Sequence, residues 1–224
     1  MSPYLGLVLA YLAGSIPAAY IAGKLTRGID LRQHGSGNLG ATNVYRVLGL
    51  KVAIAVLLFD AAKGAMPVLW FPRLLSTAQA TDPDSRLLWA IAFGIAAIIG
   101  HVRPVFLLWK GGGKGVATAA GVFGALAPGV IAIALAAWLI VLVVSGYMSL
   151  ASLTGAVALP IAIAIIHGVR SPLFIVSGLV AVFVFWTHRA NIVRLRRGEE
   201  PRFGRKRGAV EVPAPGAGEG AKAP

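Results

Sequence analysis

The chain has no cysteine, and eight of its 224 residues are Asp or Glu against 21 Lys or Arg. The first absence excludes disulfides, thiolate metal sites and a cysteine nucleophile. The second leaves little room for carboxylate chemistry, and no Ser-His-Asp order is legible. Charge of either sign is scarce, at 13% of residues, while 57% are hydrophobic. A soluble chain of this length would bury one core. This one carries apolar runs at about 4–23, 52–71, 87–102, 116–145, 149–166 and 171–187, several near the length of a bilayer crossing and separated by short basic loops. An all-α integral membrane protein is expected. The net charge of +13 collects in loops and near the C-terminus, as membrane topology requires, so no nucleic-acid partner is inferred from it.

The first apolar run lacks a basic leader and continues for a full span, so it reads as a retained helix. Pro17 removes a helix donor, which predicts a kink or break near Ser15-Ile16-Pro17. Loops 24–51 and 103–115 are basic, and residues 189–207 hold eight Lys or Arg, so all three belong on the cytoplasmic side. Loop 72–86 carries Arg73, Asp82, Asp84 and Arg86 and suits the outside. From loop 103–115 an even number of crossings must reach a cytoplasmic C-terminus. That requires 116–145 to split at Ala127-Pro128-Gly129, with 116–127 shorter than a full span. The expected architecture is seven transmembrane helices, some short or broken, with the N-terminus outside. Residues 1–207 form the membrane-embedded domain, and 208–224, rich in Gly, Ala and Pro, form a disordered tail.

Three polar stretches fall on one membrane face. In "GSGNLGATN", Gly35, Gly37 and Gly40 allow tight turns, Ser36, Asn38, Thr42 and Asn43 offer short neutral polar groups, and Arg46 follows with a forked cation. This composition suits an anion cradle, or else a flexible polar loop with a helix capped at Thr42 or Asn43. In "GHVRPVFLLWKGGGKGVATAAG", three glycines separate Lys110 from Lys114 and an apolar helix follows, which makes a phosphate site from backbone N–H groups and two ammoniums. Leu108 and Gly115 stand where a Walker A loop needs Gly and Ser/Thr, so nucleotide hydrolysis is not supported. Positive-inside anchoring also explains the lysines, but not the glycine run or His101. In the third stretch, His188, Arg189 and Asn191 sit where the last helix leaves the membrane. Arg194, Arg196 and Arg197 read as headgroup anchors, and Glu199 as a carboxylate that neutralises a neighbouring arginine. Asp60 and Lys63, three apart on one helix, read as a self-neutralising structural pair. An organic-anion transporter would also use broken helices, but its polar residues belong near the midplane rather than at one face.

Taken in this order, the stretches resemble the integral-membrane acyl-phosphate:glycerol-3-phosphate acyltransferases of bacterial phospholipid synthesis, the PlsY family. "GSGNLGATNVYR" is similar to that family's first motif, "GHVRPVF" with "KGGGKGVAT" to its second and "HRANIVRLRRGEE" to its third. "YLAGSIPAAYIAGK" and "DAAKG" also fit, so the likeness runs from about residue 10 to residue 200. The family usually has two glycines between the lysines, so Lys110 and Lys114 both stay candidates for its key lysine. The resemblance implies acyl transfer from acyl phosphate to the sn-1 hydroxyl of glycerol 3-phosphate at the cytoplasmic face of the bacterial inner membrane. The products are lysophosphatidic acid and phosphate. It implies catalytic roles for Ser36, Arg46, Lys110 or Lys114, His188 and Asn191. Substrate binding would fall to Gly35, Gly37, Asn38, Gly40, Thr42, Asn43, His101, Gly111, Gly112, Gly113, Gly115 and Thr118, with Glu199 structural. No metal or cofactor is expected; the partners are the two substrates and membrane lipids, and the chain is expected to act as a monomer. His101, His188 or the departing phosphate could take the proton, and direct transfer assisted by the phosphate is the favoured reading.

Overall fold

Proline and glycine set the helix boundaries. A computed structural model describes residues 1–75 and 82–204, so the tail expected at 208–224 lies outside the described residues. The described residues are all-helical. In chain order they form α1 (Pro3–Ser15), α2 (Ala18–Arg27), α3 (Ala41–Leu48), α4 (Leu50–Trp70), α5 (Pro83–Val102), α6 (Val116–Leu126), α7 (Pro128–Ser145), α8 (Met148–His167), α9 (Pro172–Thr187) and α10 (Arg189–Arg196). The expected break at Ser15-Ile16-Pro17 separates α1 from α2. Pro128 opens α7 at its first position, where a missing N–H costs nothing, and α6 stops at Leu126. The split of 116–145 is therefore present.

Five segments are long and apolar enough to cross a bilayer: Pro3–Arg27, Leu50–Leu74, Pro83–Leu107, Pro128–Ser145 and Met148–His167. A sixth is reached if α9 and α10, bent by 61°, count as one broken span. The 11-residue α6 spans roughly 16 Å, about half of a hydrocarbon core. Large apolar side chains such as Leu58, Val144, Ile165 and Val182 are exposed, which is costly in water and neutral against lipid tails.

Lipid supplies no hydrophobic drive between helices, so close backbone approach does the packing. A Cβ placed on Gly14 of α1 would strike the Ala97 backbone of α5, and one on Gly100 of α5 would strike the Tyr11 carbonyl of α1. The α4–α6 contact is built the same way, with Gly64 against the Thr118 carbonyl and Gly121 against the Ala61 carbonyl. On the other side, α7 and α8 pack on each other and α8 on α9. That side meets α5 and α6 through a core containing Ile91, Phe123, Ala134, Leu159, Ile163 and Leu173.

Candidate active site

The first polar stretch is shaped around one buried side chain, Asn43. Its Oδ1 accepts from the Ser36 N–H at 2.8 Å, and its Nδ2 donates to the carbonyls of His34 at 3.0 Å and Leu31 at 3.3 Å. Gly35 and Gly37 turn at φ +64° and +71°, where a side chain would be strained. A capped helix start at Thr42 or Asn43 is not what forms. α3 begins at Ala41 after Gly40, with no side-chain cap. This earlier start puts both residues inside the first turn and leaves Asn43 to order the loop.

The second stretch is stitched to the first. The Gly112 carbonyl accepts from the Leu39 N–H at 3.3 Å and from Asn38 Nδ2 at 3.2 Å, while Arg32 Nη1 donates to the Lys110 carbonyl at 3.1 Å. Asn38 Oδ1 in turn accepts from the Gly40 N–H at 2.9 Å. The chain then turns through Gly115, at φ +82°, into α6. This geometry separates the two lysines. Lys110 is exposed and holds the first loop through its backbone, whereas Lys114 turns inward and donates to Asn191 Oδ1.

Beyond Lys114 the third stretch completes a relay. Asn191 Nδ2 donates to Glu200 Oε1 at 2.6 Å, and Arg194 Nε donates to Glu200 Oε2 at 2.7 Å. The expectation for Glu199 is corrected here: Glu199 is exposed, and its neighbour Glu200 is the buried carboxylate that neutralises an arginine. The chain turns at Gly198, φ +69°, and Glu200 rather than Glu199 comes to face α10. Arg194, read as a headgroup anchor, is likewise turned inward to this pair. Burial raises the Glu200 pKa, but the bonds from Asn191 and Arg194 outweigh it and hold the carboxyl below its usual range. Lys114 is pushed down to about 8, chiefly by burial; Glu200 opposes the shift, and Arg194 and Arg46 add to it. His188 lies buried between α9 and α10, with Nδ1 2.8 Å from the Val184 carbonyl. A carbonyl only accepts, so Nδ1 carries the proton and the neutral ring presents Nε2 as an acceptor.

These groups surround one cavity of about 440 Å³. Its polar end is formed by Ser36, Asn38, Gly40, Thr42, Asn43 and Arg46 from the first stretch, Lys114 and Gly115 from the second, and His188, Asn191, Arg194 and Glu200 from the third. Asp60 and His101 also reach its wall. Its other arm is apolar, between Leu57, Ile131, Ala134, Trp138, Leu159 and Val180. Gly35, Gly37, Gly111, Gly112 and Gly113 shape the loops without lining the cavity. Thr118, expected among the binding residues, is buried in the α4–α6 contact instead. Lys63 is also off the wall, paired with Asp60 at 2.7 Å. Sequence reasoning missed Ser149 and Ser152 of α8, which line the cavity; their one signal was two hydroxyls a helical turn apart at the start of an apolar run.

A multi-pass membrane protein with cations and amides at one end of a cavity and hydrocarbon along the other is built to handle an amphiphile with an anionic head. Residues 4–198 match the family model of glycerol-3-phosphate acyltransferase, and the chain belongs to that family. It is 43% identical over 226 residues to a glycerol-3-phosphate acyltransferase of Chlorobaculum tepidum, covering 89% of this chain and 97% of that one. A second, from Geobacter sulfurreducens, is 46% identical over 196 residues, covering 87% and 94%. The fold is similar to crystal structures of PlsY (YgiH), an integral membrane glycerol 3-phosphate acyltransferase. The glycerol 3-phosphate form superposes with a TM-score of 0.80 at 36% identity, covering 90% of this chain and 96% of that one. The lysophosphatidic acid form gives a TM-score of 0.77 at 35% identity, covering 90% and 95%.

Proposed function

We propose that the protein transfers a fatty acyl group from acyl phosphate to the sn-1 hydroxyl of glycerol 3-phosphate, releasing lysophosphatidic acid and phosphate at the cytoplasmic face of the bacterial inner membrane. The observation that carries this reading is the single cavity joining a Lys/Arg/amide end to an apolar arm. Both proposed substrates bring phosphate dianions, which favours Arg46 and Lys114 over carboxylates. The acyl chain takes the apolar arm. Acyl phosphate is already activated, so the site has to align the hydroxyl, hold two anions and stabilise the oxyanion. The hydroxyl oxygen bonds to the acyl carbon, the bond from that carbon to the phosphate oxygen breaks, and the departing phosphate takes the hydroxyl proton. Ser36 donates a hydrogen bond to a phosphate or to the oxyanion. Purified protein offered labelled glycerol 3-phosphate should use acyl phosphate and neither acyl-CoA nor acyl carrier protein; the opposite preference overturns the donor assignment.

A serine nucleophile needs an adjacent base at neutral pH, and no hydrogen bond joins the Ser36 side chain to a histidine or carboxylate among the described residues. Labelled acyl phosphate alone should therefore leave no covalent label, and initial-rate plots should intersect. A trapped acyl-Ser36 with parallel plots would refute direct transfer.

The orientation belongs to the same proposal: seven crossings, with α6 and α9 added to the five long segments, the N-terminus outside and the C-terminus in the cytoplasm. Loop charge supports it. Reporter fusions at residues 30, 112 and 205 should read cytoplasm and one near 80 the outside. An external C-terminus would rule out seven crossings.

A further inference from the structure

Three ionisable side chains of the fold take no part in the chemistry above, yet they are buried together. Asp60 and Lys63 of α4 and His101 in the last turn of α5 are 2%, 6% and 6% exposed. Asp60 Oδ1 lies 2.7 Å from Lys63 Nζ and 3.5 Å from His101 Nδ1. Lys63 Nζ also donates, at 2.8 Å, to the carbonyl of Ile16, which sits in the break between α1 and α2. A pair that merely neutralised itself would need neither the histidine nor the broken helix.

His101 carries the cluster into the glycine loop. Its carbonyl accepts from the Gly113 N–H at 3.3 Å, and its ring packs so closely on Gly113 that a Cβ there would overlap Nε2. A Cβ on Gly112 would strike the Val102 carbonyl. The void left where Pro17, Leu39, Asp60, His101 and Gly113 meet is about 10 Å³, so the loop has almost no freedom against the cluster. The Gly112 carbonyl then holds Leu39 and Asn38, and Asn38 holds Gly40, the residue that starts α3. The path from Asp60 to the wall bearing Ser36 and Arg46 thus runs through the ion-pair cluster, the packing of the His101 ring on Gly113, and the backbone and side-chain hydrogen bonds of Gly112, Leu39 and Asn38.

We infer that Asp60, Lys63 and His101 are positioning residues that act through the glycine loop to set the shape of the 36–43 wall, and with it the binding of glycerol 3-phosphate. This rests on the proposed reaction. The apolar arm is walled by Leu57 of α4 and by α7, α8 and α9, so the tail of the acyl donor is held there. The 36–43 stretch lines the polar end, which receives the substrate that has no tail.

His101→Asn keeps a donor toward Asp60 and removes the part of the ring that meets Gly113. Glycerol 3-phosphate KM should rise about tenfold while kcat changes less than about threefold and the acyl phosphate KM stays put, the pattern of lost ground-state binding. Amide exchange at Leu39 and Gly113 should quicken about tenfold as their bonds open more often. Gly113→Ala attacks the same contact from the loop side and should give the same two results, which covers the case of a His101→Asn protein that does not fold. The paired change Asp60→Asn with Lys63→Met removes both charges without stranding either and should also raise the glycerol 3-phosphate KM. A fall in kcat with unchanged KM, or unchanged exchange at Leu39 and Gly113, would overturn the assignment. A wild-type protein that acylates no glycerol 3-phosphate would sink the function reading alone, since the exchange comparison still decides the positioning role.

Discussion

Arg46→Lys should lower kcat/KM about a hundredfold although the charge is kept, a loss of about 2.7 kcal/mol in transition-state stabilisation. Arg46 stands in the last turn of α3 on the cavity wall, and its charge is felt at Lys114. A guanidinium offers two parallel N–H bonds to two phosphate oxygens, whereas an ammonium acts as a point charge on a flexible stem. Replacing a fork by a point loses one directed, charge-assisted bond and loosens the other. Stopped assays over a matrix of both substrates would measure the effect. Unchanged kcat and KM would move Arg46 to the headgroup anchors.

Raising the pH through about 8 should cost activity, and Lys114 is the group responsible. Burial lowers its pKa to about 8 in the unliganded protein. The protonated form binds the anion, so kcat/KM is at its plateau just below that pH and falls tenfold for each further unit above it. Bound phosphate favours the ammonium, so the alkaline limb of kcat should lie at higher pH than that of kcat/KM. A separate acid limb is expected near pH 6, where the phosphate monoester dianion of the substrate takes up a proton and becomes a monoanion. Lys114→Met should lower turnover about a thousandfold, since one of the cations proposed to hold the phosphates is lost. Lys114→Arg cannot be deprotonated in this range, so whatever rate it keeps should lack the limb near 8. An alkaline limb that persists in Lys114→Arg would assign it to another group.

What could be read in advance was local. Pro17 and Pro128 break helices through their own missing donors, so both breaks were visible in the sequence. The three polar stretches were visible because nothing else in an apolar chain requires them, and some residues from each meet in one cavity. What stayed hidden depended on which way neighbours face. Lys110 and Lys114 flank the same glycines, and only the folded loop shows that Lys110 stays exposed while Lys114 reaches in to Asn191. Glu199 and Glu200 are adjacent and chemically alike, and the turn at Gly198 decides between them. Asn43 could serve as a cap or as a loop organiser until the start of α3 was known.

The lightly buried α7 has a consequence for where selectivity resides. It supplies Ile131, Ala134, Leu135 and Trp138 to the apolar arm, yet 11% of its span is buried within the protein, against 50% for the span that holds α5. One wall of the apolar arm is therefore a single helix whose far side is left uncovered by the protein. Displacing that wall to admit a longer or bent chain would disturb its packing on α8 and the lipid on its exposed face together. If the protein runs the proposed reaction, a stiff, saturated bilayer should make this wall stiffer and a fluid one more forgiving, so the range of acyl chains accepted is expected to widen with membrane fluidity.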